Sequence, residues 1–173
     1  MKRKIFLFAL ALPLALSAAI RYSQKPVSLT AEDGALVFPA TNSCEKIRLH
    51  ESGVVYGEAW ANGTLETPDE FLGYIFLKTV RHEDAVLDIL VGVNKSGVIQ
   101  GVKVKGGEEI AEEFLAQFHG KTAQHDFEVA CTPNDLMYIP LKIKALRGNI
   151  PLSETVAQGV QEIASLAPSV LKK

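Results

Sequence analysis

Between residues 53 and 106 the chain alternates apolar runs with short polar breaks. GVVYGEAWA (53–61) has the aromatic and β-branched content of a strand, and NGTLETPDE (62–70) ends it with turn residues. FLGYIFLKTV (71–80) and AVLDILVGV (85–93) follow, separated by the polar residues RHED, a length that suits a hairpin. NKSG (94–97) supplies the next turn, with an Asn that bonds locally at its start and a Gly that accepts positive φ at its end. VIQGVKVKG (98–106) is then the third strand of a meander. Its alternation is imperfect, because Val98, Gln100, Val102 and Val104 share one face and leave Ile99 on the other.

After Gly107 the period changes. Ile110, Phe114, Leu115 and Phe118 recur at helical spacing, Glu108, Glu109, Glu112 and Glu113 crowd the first turns where the helix dipole favours acid, and Gly120 marks the stop. The four glutamates read as a solvated helix face. DLMYIPLKIKAL (135–146) reads as a further strand, with Pro140 placing it at an edge or a bulge. Next come a glycine turn at Arg147–Asn149 and a helix capped by Ser153, with Val156, Val160, Ile163 and Ala164 on one stripe. These elements predict an α+β domain: a mainly antiparallel meander sheet packed with two helices.

The N-terminus reads differently. MKRK is a basic start, IFLFALALPLAL is an apolar run broken by Pro13, and Ser17 and Ala19 are small residues where a signal peptidase cuts. Residues 1–19 are therefore expected to be a cleaved signal peptide, with a short uncut N-terminal anchor as the alternative, since the run is shorter than the roughly 20 residues that span a bilayer. No cysteine follows the run, which removes the lipoprotein reading. Residues 20–35 read as a linker, and a short apolar element at Leu36–Phe38, ended by Pro39, opens a single domain over 36–173. The expected location is exported, in the periplasm or on the extracytoplasmic face of a membrane.

Composition adds a limit. With 47 % apolar and 22 % charged residues the chain is globular. Loss of Lys2, Arg3 and Lys4 with the leader takes Lys+Arg from 18 to 15 against 20 acids, so the net charge moves from −2 to −5. A mildly acidic body lacks the basic face that nucleic acid requires.

Candidate chemistry is sparse. Cys44 and Cys131 lie far apart in sequence and have two readings, a disulfide in an oxidising compartment or two small buried apolar side chains. Neither belongs to a C-x-x-C pattern. His50, His82, His119 and His125 show no metal-ligand spacing, and there is no G-x-S-x-G elbow and no Walker phosphate loop. The Asn62-Gly63-Thr64 sequon is a three-residue pattern that carries no argument by itself.

One resemblance does carry an argument. The order FPA (38–40), LDILVGVNKSGVIQGVKV (87–104), EEFLAQFHGK (112–121) and ALRGNIPLSETVAQGV (145–160) resembles the FMN-binding domain family. These are extracytoplasmic flavoprotein modules of Rnf-type and sodium-pumping quinone reductase complexes. The resemblance runs from about Leu36 to Ile163 and implies FMN as cofactor, membrane-bound redox complex subunits as partners, and electron transfer as function.

The family's strand-to-helix turn reads D-x-x-S/T-G-A-T, and a transferase joins the FMN phosphate to the last threonine hydroxyl. Matched by position, this chain reads Lys144-Ala145-Leu146-Arg147-Gly148-Asn149-Ile150. Only the glycine is kept, and Ile150 has no hydroxyl to esterify. The E-T-P-G-L-G segment expected ahead of the F-x-x-Q-F-x-G-K helix is replaced by KGGEEIAEE, and LETP at 65–68 stands in another part of the chain. What remains is a noncovalent phosphate site: an Arg147 fork, backbone N–H groups at Gly148 and Asn149, and the Ser153-capped helix. Glu154 opposes it, and an ordinary Gly-Asn turn with an exposed arginine is the preferred reading. Two functions stay open: a flavin carrier holding FMN noncovalently, or a cofactor-free structural and interaction subunit of a membrane redox complex.

Overall fold

In the computed structural model, residues 28–130, 132, 135 and 142–172 are described. The signal peptide expected at 1–19, the first part of the linker, Cys131 and Pro140 lie outside them. The apolar runs pair as antiparallel neighbours in chain order: β1 (Ser43–Leu49), β2 (Val55–Ala61), β3 (Glu70–His82), β4 (Ala85–Asn94) and β5 (Ile99–Lys105). With α1 (Ala31–Val37), α2 (Glu112–Ala116) and α3 (Ile150–Leu171) this is the expected α+β class with a meander sheet. Two further residue pairs, β6 (Val129–Ala130) and β7 (Ile143–Lys144), form a small parallel ladder. Of the strand expected at 135–146, only Ile143–Lys144 is a strand among the described residues: Asp135 lies in a 3-10 turn, Lys142 in a bend, and Ala145 and Leu146 already lead into the turn.

The turns follow their local chemistry. Asn94 Oδ1 accepts hydrogen bonds from the Ser96 N–H at 2.9 Å and the Val98 N–H at 3.1 Å, and Gly97 takes φ +80°, as NKSG requires. The β3–β4 turn is tighter than RHED implied. His82 pairs with Ala85, leaving Glu83 and Asp84 as a two-residue connection with Glu83 at φ +52°.

Alternation sorts the sheet into two faces. On one, Phe76, Leu87, Ile89 and Val91 pack under Val156, Val160 and Ile163 of α3 and beside Phe114 and Phe118. The other face forms a smaller cluster around Val37, Phe38, Val55, Ile75 and Leu90. There α1 lies close to the paired Gly92 and Gly101, where a Cβ on Gly101 would stand 2.7 Å from the Val37 carbonyl oxygen.

Three expectations are revised. Residues 31–35 are helix rather than linker, because Thr30 and Asp33 close a capping box that starts α1 before the expected boundary at 36. Strand β1, in a stretch with no element expected, has little apolar content and adds to the sheet edge through backbone pairing. The cap of α3 is Asn149, whose side chain accepts from the Leu152 N–H at 3.0 Å, and not Ser153. Helix α2 is also shorter than its pattern, yet Ile110, Phe114, Leu115 and Phe118 are all buried and Gly120 takes φ +80°.

Candidate functional site

The turn at Arg147–Ser153, expected from the resemblance to be a phosphate site, is crossed by its own hydrogen bonds. Gly148 takes φ +82°, a conformation that glycine reaches without a Cβ penalty, and the chain reverses so that the Asn149 N–H donates to the Leu146 carbonyl at 3.2 Å. Ser153 lies in the first turn of α3, wholly buried. Its hydroxyl accepts from the Leu146 N–H at 2.8 Å and donates to the Asn149 carbonyl at 2.7 Å. Upstream, Gln117 holds the Lys144 backbone on both sides, accepting from its N–H at 2.7 Å and donating to its carbonyl at 3.0 Å.

An anion at a helix start needs unpaired N–H groups. Here Pro151 has none, the Leu152 N–H goes to the Asn149 side chain, and the Ser153 N–H goes to the Asn149 carbonyl at 3.2 Å. Of the residues expected to bind phosphate, Arg147 and Gly148 are exposed and adjacent, Asn149 is committed to capping, and Ser153 points inward. The turn thus brings the Arg147 guanidinium to the surface beside Gly148, while the N–H groups of Asn149, Leu152 and Ser153 are bonded within the turn. Ile150, which the resemblance would put at the acceptor position, is an exposed aliphatic side chain.

A second feature lies on the α3 side of the sheet, near the opposite end of that helix. A cleft of about 240 Å³ is lined by Lys46, Arg48, Tyr56, Glu58, Tyr74 and Val170. Of its lining rings, Tyr74 and Tyr56 meet edge to face at 6.4 Å, and Tyr74 continues outside the cleft to Phe71 at 5.3 Å and from there to Trp60 at 5.1 Å. Glu58 is fixed between the Lys46 amine, 3.0 Å away, and the Trp60 indole N–H, 3.2 Å away.

The backbone of β1 aims this cleft. Glu45 stands opposite Glu58 and Arg48 opposite Tyr56, so one extra residue is inserted between them, with Lys46 at φ +48°. Without the bulge Ile47 would face Tyr56 and Arg48 would turn to the other side of the sheet. A non-glycine residue in the left-handed region costs about 1–2 kcal/mol. The sequence reading missed this site because β1 does not look like a strand. The alternating Tyr56, Glu58 and Trp60 on one face of β2 was the available signal.

The histidines are locally occupied, and the described cysteine is not. Cys44 is a free thiol, half-buried, and burial together with the nearby charges of Asp33 and Glu45 pushes it up to about 11. Its candidate partner Cys131 lies outside the described residues. His82 Nδ1 lies 3.0 Å from the Thr155 hydroxyl, and His119 Nδ1 lies 2.8 Å from the Gln100 carbonyl. His50 and His125 bond within their own turns to Ser52 and Thr122. Among the described residues no group of three His, Cys, Asp or Glu side chains is placed to hold a metal ion. No family model matches the chain, and no curated protein matches it.

Proposed function

We propose that this chain is an exported FMN-binding-domain-like module that carries no covalent flavin and acts as a cofactor-free interaction subunit of a membrane redox complex. The observation that carries this reading is the Ser153 hydroxyl, consumed by Leu146 and Asn149 inside the turn where a phosphate would need donors. The aliphatic Ile150 supports it, because no ester forms without a hydroxyl. Export rests on the basic and apolar N-terminal pattern, and the redox partner rests on the family resemblance. Noncovalent FMN is the second reading, favoured by the exposed Arg147 beside Gly148. Purification without denaturant separates the two. Colourless protein that takes up no added FMN fits the first; stoichiometric flavin absorption that survives dialysis overturns it.

A further inference from the structure

We propose that the cleft between β1, β2, β3 and the last turn of α3 binds a small flat-ring monocarboxylate. The proposal does not rest on the reading of the turn. Val170 lines the cleft near one end of α3 and the turn caps the other, and a 22-residue helix is about 33 Å long.

Three observations point to such a ligand. The Tyr56 ring is buried, while its hydroxyl reaches the open cleft and has no hydrogen-bond partner among the described residues, so it is free to donate to a ligand. Arg48 lines the same cleft, is exposed, and makes no ion pair among the described residues. The strained bulge at Lys46 is what puts this arginine opposite Tyr56.

Charge and size narrow the class. Lys46 and Arg48 against Glu58 leave one net positive charge, which a single carboxylate neutralises. A phosphate monoester, with about −1.5 to −2 charges, would leave negative charge unmatched. The guanidinium fork fits a carboxylate in bidentate fashion. The rings of Tyr56 and Tyr74 offer a surface to a flat apolar body. At about 240 Å³ the cleft is below the roughly 300–1,000 Å³ of drug-sized sites, so one ring is the expected scale.

Trp60 is the sole tryptophan and touches the cleft through Glu58, so its emission reports occupancy. Benzoate and phenylacetate are the probes, and benzamide is the neutral control. At least one carboxylate should give a saturable change in emission that benzamide does not. Arg48→Gln should weaken it roughly tenfold or more, and Tyr56→Phe, which keeps the ring, should weaken it by a smaller factor. Circular dichroism unchanged in both variants excludes unfolding as the cause. No saturable response to either carboxylate, equal binding of benzamide, or full affinity in Arg48→Gln overturns the proposal.

Discussion

The Ser153 hydroxyl and the Leu146 N–H meet at 2.8 Å across the turn that joins β7 to α3. The same oxygen donates to the Asn149 carbonyl, so one buried side chain ties the incoming strand to the first turn of the helix. That bond gives Ser153, a residue expected beside a phosphate, a structural task. Changing Ser153 to Ala removes the acceptor for a part-buried backbone N–H, at a cost of about 1–3 kcal/mol. Urea unfolding measures it, and a variant as stable as the parent contradicts the assignment.

Asp33 couples helix α1 to pH. Burial pushes its carboxyl up, but the Lys105 ammonium and the Thr30 N–H and hydroxyl pull it down further, leaving it below its ordinary value of 3.8. A carboxylate whose folded pKa is depressed stabilises fully above its unfolded pKa and loses that contribution as pH falls through the folded one. The stability gap between parent and Asp33→Asn is therefore expected to be present at neutral pH and to shrink in acid below about pH 4. A gap of constant size across that range would contradict the coupling.

Cys44 is expected to react slowly. A thiol raised from 9.0 to about 11 holds about a hundredfold less thiolate at a given pH below both values, and thiolate is the nucleophile. Peptide-resolved alkylation with and without reductant checks this. Slow labelling that ignores reductant fits a free, burial-suppressed thiol, whereas labelling that requires reductant shows a disulfide in the mature protein.

The β3–β4 turn holds Glu83 at φ +52°, where a side chain is strained and glycine is not. Glu83→Gly relieves that strain and loses part of the gain to the freer unfolded chain. The net expectation is about 0.5–1 kcal/mol of stabilisation, read as a higher unfolding midpoint. A lower midpoint would mean that the carboxylate itself holds the turn.

The meander was legible because β2 to β5 carry dense β-branched and aromatic residues and their breaks use strong turn chemistry, as at Asn94 and Gly97. β1 was not, since SCEKIRL has too few apolar residues to announce a strand and depends on an existing edge to pair with. Helix α1 hid for another reason: its Thr30–Asp33 capping box is two residues wide in meaning, and only Gly34, Val37 and Asp33 turn inward. At the turn, Gly148 and Arg147 were readable, but the direction of the Ser153 hydroxyl was not. Serine two residues after an isoleucine-proline pair is equally consistent with a cap and with a first-turn brace, and the Asn149 cap decides between them. The cleft depends on a bulge, and a one-residue insertion in pairing leaves no mark in a single sequence.

The Arg147–Ser153 turn is crossed by its own bonds, and on the function proposed above it holds no flavin phosphate. Titration of FMN into the native protein, followed by flavin fluorescence in the parent and in Arg147→Gln, tests it most directly. The account predicts no saturable quenching that depends on Arg147. Stoichiometric FMN binding in the parent, abolished in Arg147→Gln while the fold is kept, would contradict it.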